Sequence, residues 1–254
     1  FALSGLREVW GDAPLPKLAL LRCGTMNTIA NGMGIPRGNP QRLLQGVVDA
    51  VREERPLVGA AWSTLDVNGR LAFLAGAGLV YQFLAEYYAA GDPYPTPWTA
   101  VTTLARGSAS VAVGGPLAQR MTGRLAGRLI VDGEPWPLTS WLSVAAGTVP
   151  QIGLGFRPFY RAGERDEAFH LLGIHGTPMT FVRRLPRVRR AQPIGDDCTL
   201  EALCQTVRLE ALPDATADVP YMADGDLYDG DGPLVMRAGP MITVVGSVRA
   251  AAAT

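Results

Sequence analysis

Two dipeptides constrain this chain more than any other feature: Asn68-Gly69 and Asp132-Gly133. Each sits between short apolar runs, residues 60–67 and 71–77 for the first, 128–131 and 137–145 for the second. Asn-Gly and Asp-Gly tolerate the positive φ that two-residue turns demand, so each pair predicts a β-hairpin. Further short runs follow at 169–174, 207–211, 234–238 and 241–245. Many short strands separated by turns predict a mainly antiparallel β-sandwich or barrel over residues 56–254.

The first 55 residues follow a different grammar. Residues 1–10 read as a helix already under way, and the chain does not begin with Met, so a preceding segment is expected. Leu18-Ala19-Leu20-Leu21 is short and apolar enough for a buried strand. Asn39-Pro40 then opens a helix, since Asn caps well and Pro suits the first helical position. Helix, strand, helix predicts an α/β piece with a parallel sheet over residues 1–55. Within the second part, residues 79–90 read as a helix. Asp92-Pro93-Tyr94-Pro95-Thr96-Pro97 breaks it, and Trp98 opens another apolar helical pattern.

Composition narrows the function classes. The chain has 254 residues, 48% apolar and 18% charged, enough for a substantial core. Its formal net charge of zero gives no bulk attraction to nucleic acid. Cys23, Cys198 and Cys204 lack metal-site spacing, and an odd cysteine count without a disulfide framework fits a reducing cytoplasm. The longest apolar stretch, residues 98–115, is interrupted by Arg106 and rich in Ser, Thr and Gly, unlike a membrane span.

Three stretches could carry chemistry. In Gly24-Thr25-Met26-Asn27 a glycine, a hydroxyl and an amide stand where a strand gives way to a helix, a place where free N–H groups attract phosphate. From spacing alone the favoured reading is a plain βα turn with Gly for geometry and Thr for capping. In Asp224-Gly225-Asp226 an extended backbone would point both carboxylates to one side, able to hold Mg²⁺ or to act as a general base. A solvated turn is the competing reading. Arg183, Arg184, Arg187, Arg189 and Arg190 interleave with Phe181, Val182, Leu185 and Val188, either a membrane-facing basic helix or an ordinary solvated face.

Taken in order, Gly24-Thr25-Met26-Asn27, Asn68-Gly69-Arg70 with Gly78, Asp132-Gly133-Glu134, Gly153-Leu154-Gly155 with Pro158, and Asp224-Gly225-Asp226 resemble the diacylglycerol kinase catalytic-domain family. That family includes bacterial lipid kinases and sphingosine and ceramide kinases, with NAD kinases as more distant relatives. The resemblance implies a two-domain fold, an α/β nucleotide-binding domain and a β-rich domain, with the active site between them. It implies ATP- and Mg²⁺-dependent phosphoryl transfer to a lipid hydroxyl at a membrane surface, and is compatible with a homodimer. It carries nucleotide contacts to Gly24, Thr25 and Asn27, the general base to Asp224 and a metal-binding role to Asp226, where Asp replaces the family's Glu.

The chain departs from the pattern elsewhere. Family members usually carry a Gly-Gly-Asp-Gly-Thr loop just before a helix like that of residues 1–10, and this chain starts where that loop would end. Thr28 stands where many members have Asp. Asp166-Glu167-Ala168-Phe169-His170 keeps only the first acidic residue of a stretch that holds a structural Mg²⁺ in bacterial members, so no such metal is expected there. These departures keep two alternatives open: a catalytically inactive nucleotide- or lipid-binding module, and a kinase of a soluble polyol or nucleotide.

Overall fold

A computed structural model describes residues 2–11, 13–24, 26–90, 95–213 and 218–248. The chain opens with helices α1 (Ala2–Trp10), α2 (Thr28–Gly32) and α3 (Pro40–Arg52). Asn39 caps α3 by accepting the Gln41 N–H at 2.8 Å, as its sequence predicts. Strands β1 (Gly59–Trp62), β2 (Leu65–Val67), β3 (Arg70–Ala72) and β4 (Leu74–Gly78) follow. Then come helices α4 (Leu79–Ala90), α5 (Pro97–Val113) and α6 (Pro116–Met121). A run of strands ensues: β5 (Leu125–Val131), β6 (Glu134–Pro135), β7 (Ser140–Trp141), β8 (Ser143–Gly147) and β9 (Phe169–Ile174). Helix α7 (Pro178–Arg189) precedes β10 (Thr199–Cys204), β11 (Thr206–Ala211), β12 (Tyr221–Ala223), β13 (Asp226–Tyr228), β14 (Leu234–Ala238) and β15 (Ile242–Val245).

Two antiparallel sheets dominate. One runs β10-β9-β8-β4-β12-β13, and the other β3-β2-β14-β11-β5-β6 with β7 also on β5. Between them lies one hydrophobic core, to which Leu65, Leu129, Leu209 and Met236 contribute from the second sheet and Ala77, Val144, Phe169 and Leu171 from the first. The expected antiparallel sandwich is therefore present. The first sheet is buried on its other face too. Leu74, Ala145, Leu172 and Ile174 point into a second core with Met33, Ile35, Phe159 and Val188. Every residue of β4, β8 and β9 is accordingly buried, which is why these strands are mostly apolar or small along their length instead of alternating with charged residues.

Both predicted hairpin turns form. Asn68 and Gly69 have φ of 48° and 83°, and Asp132 and Gly133 have 48° and 88°, the paired positive values of a type I′ turn. The longer runs break, however. Residues 60–67 divide at Ser63-Thr64, residues 71–77 at Phe73, and residues 137–145 at Leu142, each passing from one sheet to another. Apolar periodicity cannot register such a switch, because both sides of the break face a core. Helix α6 and strand β10 are further elements that the sequence reading does not contain.

The predicted strand at 18–22 is corrected to a single parallel bridge, Leu18 with Val244. Leu18 exchanges two hydrogen bonds with the edge of β15, at 2.8 and 2.7 Å. No further strand pairs with residues 19–22 among the described residues. Arg22 instead reaches the Ile35 carbonyl at 3.0 Å and the Asn31 side chain, tying this segment to the end of α2.

One glycine shows how tightly the sandwich is filled. A Cβ on Gly173 would lie 2.7 Å from the Trp141 ring and 2.8 Å from the Trp136 ring. Trp141 is fully buried, with its indole N–H donating to the Gly127 carbonyl at 3.0 Å, so it cannot retreat. Gly173→Ala is expected to cost about 1–3 kcal/mol by overpacking, read as a lower urea midpoint at unchanged m-value.

Candidate active site

The site is built around a two-residue turn. Asp224 and Gly225 connect β12 to β13 with φ of 48° and 103°. The expected extended backbone over Asp224-Gly225-Asp226 is thus corrected: Ala223 pairs with Asp226, and the aspartates sit at a hairpin tip instead of alternating along one strand. The tip is held from two directions. The Tyr88 hydroxyl, near the end of α4, donates to the Gly225 carbonyl at 2.7 Å. The Asp224 carboxylate accepts the Leu74 N–H at 2.9 Å and the Phe73 N–H at 2.9 and 3.1 Å through its two oxygens. Those N–H groups are available because the strand breaks at Phe73.

Asp224 remains exposed to the cavities it lines, yet protein surrounds it on most sides. That poorly solvating surround pushes its carboxyl up to about 6, although the two backbone donors pull it down; Asp226 adds a smaller upward push. A carboxyl in this range is ionised at neutral pH and still basic enough to take a proton.

On one side of Asp224 opens a cavity of about 680 Å³. Its walls are almost wholly apolar: Phe83, Leu84 and Leu104 from α4 and α5, and Phe181, Leu185 and Val188 from α7. The alternation read in the arginine-rich segment is explained here, since its apolar residues face the cavity while Arg183 and Arg190 are exposed. Arg184 pairs with Asp197 at 2.8 Å, and Arg187 and Arg189 donate to the carbonyls of Pro193 and Leu154.

Gly24 and Asn27 line this same cavity. Asn27 lies in the left-handed region, φ 47°, and precedes the first turn of α2. Its amide donates back to the Gly24 carbonyl at 2.5 Å rather than capping the helix. Thr25 lies outside the described residues. The sequence-predicted Gly24, Asn27 and Asp224 are therefore brought to one cavity.

Asp226 is not part of it. It lines a second pocket of about 200 Å³ together with Asp224, Ser4, Glu8, Arg70 and Tyr228. Its carboxylate is exposed and makes no hydrogen bond or ion pair among the described residues. Asp224 alone of the two aspartates is shared by both cavities. No group of three or more His, Cys, Asp or Glu side chains forms a cation cage among the described residues. Asp226 with a neighbouring carboxylate suits an ion that takes most of its ligands from phosphate and water, as Mg²⁺ does. His170 and His175 line neither cavity.

Two residues of the site have no role assigned by the sequence. Tyr88 belongs to a mostly apolar helical pattern, and nothing local distinguishes its hydroxyl. Arg70 directly follows a hairpin turn, where a charged residue reads as solvated surface.

No protein-family model matches the chain, and no curated protein matches it significantly. Solved structures do. A candidate diacylglycerol kinase from Bacillus anthracis strain Sterne superposes with a TM-score of 0.62 at 12% identity, over 95% of this chain and 71% of that one. A diacylglycerol kinase from the same strain gives 0.53 at 12% identity, over 91% and 67%. Another candidate diacylglycerol kinase from it gives 0.58 at 13% identity, over 91% and 69%. At these identities the likeness is one of fold, and it agrees with the fold that the ordered motifs imply.

The raised Asp224 carboxyl has a measurable consequence. Its folded value of about 6 exceeds the unfolded value of 3.8, so the folded state binds the proton more tightly. Stability should therefore fall as pH rises from about 4 to about 6, and level off above. Asp224→Asn removes this titration. Its Tm relative to wild type is expected to rise between about pH 4 and 7, and a pH-independent Tm difference would contradict the shift.

Proposed function

We propose that the protein is a lipid kinase, moving the γ-phosphoryl group of ATP to a hydroxyl of a lipid such as a diacylglycerol or a sphingoid base. The observation that carries this reading is the position of Asp224, one carboxylate shared by a large apolar cavity and a small polar pocket. A cavity walled by Phe, Leu and Val suits acyl or alkyl chains, and weighs against a soluble polyol or nucleotide as acceptor. The fold shared with diacylglycerol kinase structures supports the same reading.

In this reading the acceptor's chain packs against α4, α5 and α7 and its hydroxyl meets Asp224. Asp224 takes the hydroxyl proton while the freed oxygen forms a bond to the γ-phosphorus and the bond to ADP breaks. Backbone donors hold the carboxylate, so its direction is set before substrate arrives. Gly24, Thr25 and Asn27 are the proposed nucleotide contacts. Asp226 would hold Mg²⁺, which when bound neutralises charge on the phosphates. Residues 1–55 form the proposed nucleotide side and residues 56–254 the acceptor side; Met33, Ile35, Trp62 and Phe73 belong to one core spanning both.

We further propose a cytoplasmic protein that docks on an anionic membrane surface. No helix among the described residues is long and apolar enough to cross a membrane. The side chains of the exposed Arg183 and Arg190 make no hydrogen bond or ion pair among the described residues. On α5, which packs against α7, Trp98 is 72% exposed and Val101 39%. Cations with exposed apolar side chains beside a chain-sized cavity suit a lipid interface.

Phosphorylation of diacylglycerol-like and sphingoid lipids by the complete protein tests the reading. Asp224→Asn is expected to lower kcat by about 10²–10⁴-fold. The acid limb of the wild-type pH–rate profile is expected near about 6. Tight ATP binding without turnover on any lipid would instead assign a catalytically inactive module. For the membrane role, Arg183→Ala with Arg190→Ala is expected to weaken binding to anionic vesicles by about tenfold or more, at roughly 1 kcal/mol per cation. Unchanged vesicle binding would dismiss that role for α7.

A further inference from the structure

The acceptor reading leaves one charged group unused. Arg70, the first residue of β3, lines the 200 Å³ pocket between α1 and the β12–β13 hairpin. Its guanidinium carbon lies 4.7 Å from the centre of the Tyr228 ring. Tyr228 in turn stacks on Tyr221, with ring centres 5.1 Å apart and planes inclined by 19°. Tyr221 is 4% exposed, so this aromatic platform is anchored in the core. A guanidinium lying on a ring keeps its N–H donors at the edge of its own plane, free for a ligand.

The carboxylates nearby sharpen the point. Glu8, Asp224 and Asp226 line the same pocket, yet Arg70 forms no ion pair or side-chain hydrogen bond among the described residues. Arg7, beside the pocket-lining Glu8 on α1, does pair, with Asp66 at 2.7 Å. The pocket thus keeps a positive group and several negative groups apart within a small volume. The carboxylates outnumber Arg70 and would repel a bare anion, while a bare cation would leave the guanidinium without an anionic partner. A phosphate carrying a divalent cation satisfies both, with its oxygens on the guanidinium and the metal towards the carboxylates.

We propose that this pocket is a polyphosphate site in which Arg70, held on Tyr228, is the phosphate-binding residue, and that its ligand is the terminal part of a nucleoside triphosphate carrying a divalent cation. The role in turnover rests on the kinase reading; the binding site does not. Asp224 lines both this pocket and the apolar cavity, so a phosphate here and a hydroxyl there would meet at one carboxylate.

Calorimetric titration of the complete protein tests this. The probes are magnesium tripolyphosphate, the β,γ-imido analogue of ATP with Mg²⁺, and AMP. Arg70→Ala is expected to weaken the first two by about ten- to a hundredfold, the loss of a charge-assisted pair, while AMP changes by less than about twofold. Arg70→Lys is expected to recover only part of the loss, because an ammonium lacks the planar fork and stacks poorly. Arg70 is exposed, so both variants should keep the wild-type Tm. Equal polyphosphate affinity in wild type and Arg70→Ala overturns the proposal. So does an equal loss for AMP, and so does a wild type that binds neither polyphosphate probe. Lipid turnover separates the two readings. Turnover with Arg70-independent binding removes Arg70 alone. Arg70-dependent binding without turnover on any lipid keeps the site and removes the kinase.

Discussion

The hydrogen bonds from Phe73 and Leu74 to the Asp224 carboxylate hold the candidate site together. They form where the chain leaves one sheet and enters the other, a point at which a continuous strand would have spent both N–H groups on a neighbour. The break creates donors, and the carboxylate of a distant turn uses them. Losing the carboxylate would leave strand-end N–H groups without their partner, a state that costs more than the bond itself contributes. The same contact thus satisfies the backbone and orients the acid. Tyr88 holds the opposite side of the turn, so the hairpin tip is fixed between a strand break and a helix end.

The cavity follows from how the first sheet is covered. A sheet buried on one face by the sandwich core needs helices or loops on its other face. Here α4, α5 and α7 lie beside that face, and α7 carries its apolar residues inward and its free arginines outward. The helices do not close completely over the sheet, leaving a space of about 680 Å³. An apolar cavity of this size adjoining a carboxylate is an unfavourable arrangement for stability alone. Filling it with a hydrocarbon chain would restore the dispersion contacts that its lining forgoes.

Legibility in the sequence followed the range of the forces involved. Turns set by local φ were readable: Asn68-Gly69 and Asp132-Gly133 form the hairpins that their residue types dictate. Helix caps were readable too, as at Asn39. Sheet switches at Ser63, Phe73 and Leu142 were not, because the residues on either side are apolar for different cores. The Asp224-Gly225 pair shows both outcomes. Its composition is that of a hairpin turn, yet only the fold reveals which N–H groups the aspartate finds 150 residues away. The contacts of Arg70 and Tyr88 were unreadable for the same reason: each is made with a partner distant in sequence, Tyr228 for one and Gly225 for the other.

A base of the kind proposed for Asp224 must be oriented without being neutralised, and the arrangement around this carboxylate meets both demands. Orientation by an arginine or lysine would fix the carboxylate equally well, but a cation would stabilise its charge and depress its basicity. Backbone donors depress it less, and the surrounding protein more than offsets them, leaving the carboxyl near about 6. Arg70 shares a pocket with Asp224 and would be the obvious counter-ion. Stacking on Tyr228 gives that cation another favourable contact, and the two remain unpaired. Tyr228 ends the strand that begins immediately after the Asp224-Gly225 turn, so the hairpin that presents the carboxylate also carries the ring that occupies its nearest cation.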